Sequence, residues 1–215
     1  MWDSLQAVQS TMTYDSILFD FDGVMADTEP MHFRCWQQVL TDFGVQLEWN
    51  WFAQNCIGVS EHDTLEAFRF LATPPLEFEP LWAQYPRKKQ LFRQLIANGV
   101  PLAPGIHDLL EDLHGKYRMA VVSSSARVEV EPALEVGGVR GYFDALVCGS
   151  EVAHLKPAPD PYLRAAELLA TKHPLVVEDS AAGVASAQAA GFEFVRVASV
   201  AQTVAAVRNH LQKAG

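Results

Sequence analysis

The sequence has few of the features that stabilise or target a chain by special means. Its three cysteines, Cys35, Cys56 and Cys148, are widely spaced and form no CxxC pair. That excludes a disulfide framework and a thiolate zinc site, and it fits a reducing compartment. No apolar run approaches the roughly 20 residues that a membrane helix needs. The opening stretch MWDSLQAVQSTMTYDS has neither a basic start nor a long apolar segment. It reads as a polar tail over residues 1–13 rather than a signal peptide, and a cytoplasmic location is expected. Basic residues are scarce: Lys and Arg number 16 against 26 Asp and Glu, a net charge of −10. The average surface therefore repels nucleic acid, and a small molecule is the expected partner. Neither GxxxxGKS nor GxGxxG occurs, so a nucleotide P-loop and a dinucleotide fingerprint are unsupported. Repeats, low-complexity tracts and heptads are absent as well, and a monomer is expected.

What is present is an ordinary globular composition: 215 residues, 49% apolar and 20% charged. That suits one domain, or one domain carrying an insert. A buried strand is expected over Ser16–Phe21, ending in acid and glycine. Similar runs follow at Tyr117–Ser123, Ala145–Cys148, Leu175–Glu178 and Phe192–Val197. Helical patterns lie between them at Gly105–Leu113, Pro132–Val136, Pro159–Ala170, Ala181–Ala190 and Val200–Leu211. Strands alternating with helices imply an α/β fold, a doubly wound, Rossmann-like parallel sheet. Residues 29–98 break the alternation. They carry helical periodicity (Phe33, Trp36, Leu40, Phe43; then Leu65, Phe68, Leu71) and no convincing strand. An all-helical insert is expected there, with residues 14–28 and 99–215 forming the core.

In open parallel sheets, ligands bind beyond the carboxyl ends of the strands. Polar residues gather at those ends: Asp20-Phe21-Asp22-Gly23, Ser123-Ser124-Ser125 and Glu178-Asp179-Ser180, with Lys156 ahead of a helix. Each alone has a bland reading as a turn, a cap or a solvated charge. Their order on successive strand ends does not. Asp20, Asp22, Glu178 and Asp179 together concentrate negative charge, which raises pKa values unless a cation intervenes. Mg²⁺ suits such a site because it takes one or two carboxylates, water and phosphate oxygens. Lys156 and the serine hydroxyls suit phosphate oxygens. The set fits phosphoryl transfer.

The ordered motifs DFDGV (Asp20–Val24), VVSSS (Val121–Ser125), KPAPDPY (Lys156–Tyr162) and VVEDSAAGVASAQAAG (Val176–Gly191) resemble the four motifs of the haloacid dehalogenase-like hydrolase superfamily, from Tyr14 onward. The branch resembled is the phosphatase and beta-phosphoglucomutase-like group, and the insert resembles its helical cap. The resemblance implies Asp20 as a nucleophile forming an aspartyl-phosphate and Asp22 as general acid and then base. It implies Mg²⁺ held by Asp20, the backbone carbonyl of Asp22, and Asp179, with Glu178 as a ligand or a partner behind. Ser123 and Lys156, assisted by Ser124 and Ser125, would hold the phosphoryl group. Members that cleave carbon–halogen bonds lack the second aspartate, so Asp22 implies a phosphate ester.

The insert should supply specificity. Asp27-Thr28 followed by His32-Phe33-Arg34-Cys35-Trp36 resembles a mutase stretch whose histidine adjoins the active site, and Ile57-Gly58-Val59-Ser60 resembles the mutase cap loop. Where mutases then place an arginine for the distal phosphate, this chain has Glu61. An acid there repels a second phosphate. Arg87, Lys88 and Lys89 are the candidates to replace the charge, against a reading as a solvated helix face. Asp27, His32 and Glu61 are thus the candidate substrate residues. The expected activity is hydrolysis of a small phosphorylated metabolite, a sugar phosphate in the first place. A phosphosugar mutase is the second reading. A phospho-acceptor or catalytically silent binding domain is the alternative of another class.

Overall fold

Five short apolar runs become the strands of a single sheet. In the computed structural model, which describes residues 14–214, they are β1 (Ser16–Phe19), β2 (Arg118–Val122), β3 (Ala145–Val147), β4 (Pro174–Glu178) and β5 (Glu193–Arg196). The expected tail over residues 1–13 lies outside the described residues. All pairings are parallel, in the order β3-β2-β1-β4-β5. Phe19 on the central strand is level with Val121 and Val177. The residues that follow each of them therefore emerge at one edge of the sheet, and these are the polar motifs.

The helices are α1 (Glu29–Thr41), α2 (Trp49–Asn55), α3 (Glu61–Arg69), α4 (Phe78–Trp82), α5 (Tyr85–Ile96), α6 (Ile106–Leu113), α7 (Arg127–Val136), α8 (Asp160–Leu169), α9 (Ala181–Ala189) and α10 (Thr203–Ala214). Alternate residues of β1 feed opposite layers, as the period of two requires. Ile17 and Phe19 pack with Met119 and Val121 under α6, α7 and α10. Leu18 packs with Ala120, Val122 and Val176 under Tyr162, Ala165 and Leu169 of α8 and Ala187 of α9. Both faces are covered, so the sheet is buried throughout its centre.

Helix α7 starts at Arg127, whereas Pro132 reads in the sequence as its first turn. Pro132 instead sits inside the helix. The acceptor its missing N–H would have used belongs to Val128, which is exposed, so that carbonyl can turn to water. Arg127 anchors the extra turn by pairing with Glu151.

Between β1 and α6, the described residues form helices and no strand of the sheet. Helices α1 to α4 enclose a core of their own, built on Trp36, Leu40, Leu47, Phe52, Leu65, Phe68 and Leu81. Cys35 of α1, with Phe92 and Ile96 of α5, joins the core beneath the sheet instead. The segment is thus tied to the sheet through α1 and α5. Prolines at the first turns of α1 and α5 use the position where a missing N–H costs nothing. Among the described residues, no helix is long and apolar enough to cross a membrane.

Leu18 is fully buried at the centre of the sheet. Leu18→Ala should lower stability by about 2–5 kcal/mol, measured as the shift in urea midpoint with an unchanged slope.

Candidate active site

Each strand end contributes one part of the site. Asp20 leaves β1 with its N–H donating to the Val177 carbonyl at 2.9 Å, and is 7% exposed. Glu178 ends β4, fully buried. Lys156 reaches between them. Its Nζ donates to Asp20 Oδ1 at 2.5 Å, Glu178 Oε1 at 2.6 Å and the Val122 carbonyl at 2.9 Å. All three ammonium hydrogens are used. Burial pulls this ammonium down, but Asp20 and Glu178 outweigh it and hold the pKa above the usual lysine value.

Glu178 is saturated. Tyr162 Oη donates to Oε1 at 2.8 Å, while Oε2 accepts the N–H of Asp179 at 3.0 Å and both the N–H and hydroxyl of Ser180 at 3.1 Å. Burial pushes its carboxyl up, yet Lys156, Tyr162 and the backbone hold it below the usual carboxylate range. Asp20 goes the other way. Burial raises it well above that range; Lys156 opposes this, while Glu178, Asp22 and Asp179 add to it. Asp179 is pushed up to about 6, by burial first and the Glu178 charge second.

Asp22 is held separately. Oδ1 accepts from Thr28 Oγ1 at 2.5 Å and lies 3.5 Å from His32 Nε2. Oδ2 accepts from Ser125 Oγ at 2.9 Å and Ser123 Oγ at 3.1 Å. Burial pushes this carboxyl up, but His32, Thr28 and Ser125 hold it well below the usual range. His32 is itself fixed, stacked on Phe92 with ring centroids 4.2 Å apart.

Two glycines permit this crowding. Gly23 has φ +80°, and a Cβ on it would lie 2.2 Å from Asp179 Oδ2. A Cβ on Gly183, in the first turn of α9, would lie 1.7 Å from Glu178 Oε1. Ser180 caps that turn by accepting the Gly183 N–H at 2.9 Å.

A cavity of about 490 Å³ opens over these groups. Asp20, Asp22, Ser124, Lys156 and Asp179 form its floor; Glu29, His32, Phe52, Ile57, Glu61, Trp82, Tyr85 and Lys89 wall it from the helical segment. Not every expected residue faces it. Asp27 is exposed and off the cavity, with its N–H on the Pro101 carbonyl. It is Thr28, one residue on, that turns inward. Ser123 is 2% exposed, and its hydroxyl proton goes to Asp22, so Ser124 is the serine of the two that reaches the cavity. Lys88 is not on a solvated face: it is fully buried, between Glu61 and Glu129.

Sequence reading passed over Thr28, Tyr162 and Glu29 as parts of the site. Tyr162 lies within the KPAPDPY motif, and Thr28 stands beside the start of α1. Glu29 is in the first turn of α1, and burial pushes its carboxyl up to about 7. The cysteines contribute no nucleophile: all three are free and buried, with Cys35 pushed up to about 11 and Cys56 and Cys148 to about 12 by burial.

A buried carboxylate at the end of the first strand, a lysine bridging to the fourth and a second acid two residues on meet a family profile that describes haloacid dehalogenase-like hydrolases and matches residues 17–197. The chain belongs to this family. It is 32% identical over 187 residues to the fructose-1-phosphate phosphatase YqaB of Escherichia coli, covering 86% of this chain and 96% of that protein. It is 29% identical over 187 residues to a phosphorylated carbohydrates phosphatase of Thermotoga maritima, covering 83% and 82% of the two chains. The crystal structure of CbbY from Rhodobacter sphaeroides in complex with xylulose-1,5-bisphosphate superposes with a TM-score of 0.73 at 26% identity, covering 85% of each chain.

Gly183→Ala tests the packing behind Asp20. The substitution favours a helix by about 1 kcal/mol, but the added Cβ must dislodge a Glu178 carboxylate that accepts five hydrogen bonds, one of them from Lys156. The clash wins: the melting temperature should fall rather than rise, read by circular dichroism.

Proposed function

We propose that this hydrolase releases phosphate from small phosphorylated metabolites, sugar phosphates first among them, with Mg²⁺ and through an aspartyl-phosphate on Asp20. The observation that carries this reading is the pairing of Asp20, gripped by Lys156 at 2.5 Å, with an independently held Asp22 on the floor of one cavity. The phosphatase names of the two relatives support the substrate class.

The residues fit a divalent cation. Oxygens of Asp20, Glu178 and Asp179 lie within 4.8 Å of one another. Glu178 is saturated by protein donors, so Asp20 and Asp179 would hold the ion, with the backbone carbonyl of Asp22, and Glu178 would brace Lys156 behind them. The raised Asp179 carboxyl marks a group whose counter-charge is incomplete. When bound, the ion supplies neutralisation of negative charge on the phosphoryl oxygens.

The chain's own residues do the rest. Asp20 carboxylate attacks phosphorus, and the ester oxygen leaves with a proton from Asp22. As the free protein stands, Asp22 is held ionised, which is the form that takes a proton from water in the second step. The charge of an incoming phosphate dianion opposes that ionisation and favours the protonated form needed in the first. Thr28, Ser123 and Ser125 keep its oxygens aimed in both steps. Lys156 balances charge at Asp20, and Ser124 offers a hydroxyl to the transferred group. The walls of the helical segment limit water around the phosphoenzyme.

CbbY holds a bisphosphate, so the mutase reading, in which both ends of a bisphosphate must be gripped, bears directly on this cavity. Glu61 on the wall opposes that grip, and Lys89 lies over the Tyr85 ring at 4.0 Å. Release of inorganic phosphate is therefore the expected outcome with beta-glucose 1-phosphate, even with a bisphosphate primer present. A coupled glucose 6-phosphate assay showing efficient isomerisation and slow phosphate release would overturn this choice.

Three further results are expected. Asp20→Asn abolishes turnover while the fold is kept, by circular dichroism. Exhaustive chelation abolishes activity, and added Mg²⁺ restores it. Asp22→Ala loses about 100- to 10,000-fold in kcat/KM, with a smaller loss for aryl esters whose leaving group needs no proton. Equal, small losses on all esters would reduce Asp22 to a structural role.

A further inference from the structure

The wall of the cavity conceals a cation. Lys88 of α5 has no exposed surface, yet its Nζ donates to Glu61 Oε1 of α3 at 2.8 Å and to Glu129 Oε1 of α7 at 3.2 Å. The rings of Trp36, Tyr85 and Phe92 stand 5.6–6.0 Å away. Glu129 is as deeply buried as the lysine, whereas the Glu61 side chain keeps 32% of its surface and lines the cavity. Of the two carboxylates on this buried ammonium, Glu61 is the one that faces the substrate space, beside the Trp36 and Tyr85 rings. Burial pulls Lys88 down, but Glu61 and Glu129 outweigh it and hold the ammonium charged.

We propose that Glu61 is an internal counter-anion that occupies the position a second anionic group of a substrate would take on Lys88, and so restricts the enzyme to phosphomonoesters whose far end is uncharged. With Glu61 in place, the group of three carries one net negative charge toward the cavity, and a distal phosphate meets repulsion. Without its carboxylate, a gap of that size leads to Lys88, now paired with Glu129 alone. Glu129 is a positioning residue: it keeps the lysine charged and aligned behind Glu61 from the sheet side. This role presupposes the phosphatase reading above, which names the reaction whose specificity is set.

The test compares fructose 1-phosphate with fructose 1,6-bisphosphate. Phosphate release at the ester gives the ratio of kcat/KM values. Calorimetric binding in an Asp20→Asn background gives the ratio of affinities without any turnover. In Glu61→Ala, both ratios should move toward the bisphosphate by on the order of tenfold or more, carried by KM rather than kcat. Glu61→Gln removes the charge but keeps the shape, and should move them the same way by less. The decisive control is Glu61→Ala combined with Lys88→Met and Glu129→Gln. A buried ion group replaced as a whole by neutral side chains is tolerated better than one left half-paired, and here the gain should vanish. Unchanged ratios in Glu61→Ala and Glu61→Gln would overturn the proposal. So would a gain that survives in the triple variant, since the charge would then come from elsewhere, with Lys89 the nearest candidate on the wall. If no variant releases phosphate from either sugar but the affinity ratio still shifts through Lys88, the phosphatase reading fails and the concealed cation stands.

Discussion

Lys156 holds together carboxylates that would otherwise not share one strand edge. Four acids, Asp20, Asp22, Glu178 and Asp179, converge where β1 and β4 end, and three of them offer oxygens within 4.8 Å of one another. A buried ionised carboxylate without partners is strongly destabilised. The fold answers each acid differently. Glu178 receives the lysine, a tyrosine and three donors from its own chain; Asp22 receives hydroxyls and His32 from the other side. That leaves Asp20 half-neutralised and Asp179, among the described residues, with no ion pair of its own and only the more distant charge of Lys156 in its favour. The two acids with unmet charge both line the cavity floor, so electrostatic need falls on the two groups to which the proposed mechanism gives the metal.

The same crowding explains why small residues recur around the site. Glu178 can lie against α9 only because position 183 lacks a Cβ, and Asp179 can approach the first loop only because Gly23 does too. At Gly23 the left-handed φ adds a second reason for glycine. The acid motif and the glycines are one packing unit, although more than 150 residues separate Gly23 from Gly183.

This unit was legible because it is built from short, polar departures on apolar runs. SILF-DFDG, VV-SSS and LVV-ED announce both the strand and the end at which it delivers its acids, and parallel pairing places those ends side by side. What stayed hidden is contact at right angles to the chain. Asp27 and Thr28 are equally polar neighbours, and only the path of the backbone decides that the threonine faces Asp22. Ser123 and Ser124 exchange their expected prominence for the same reason. Pro132 misled because a proline is tolerated inside a helix where the lost bond faces water.

Lys88 is the most instructive case. In the run Arg87-Lys88-Lys89 it looks like one of three solvated charges, but Phe92 and Ile96 follow it at four and eight residues, and all three are buried on α5. Helical periodicity thus places it on the apolar stripe. A charge on such a stripe needs a partner from another element, and α3 and α7 each bring one. The protein has therefore used one device twice: an ammonium clasped by two carboxylates. At Lys156 both carboxylates come from the strand ends, and one of them, Asp20, remains turned to the cavity. At Lys88 one comes from the sheet side and one from the helical segment, and the outward member, Glu61, presents an acid to the cavity. In the mechanism proposed above, the first clasp is required by the reaction at Asp20. The second is not, since no step of that mechanism touches it, and so it is free to act on which molecules reach the first, the role proposed for Glu61.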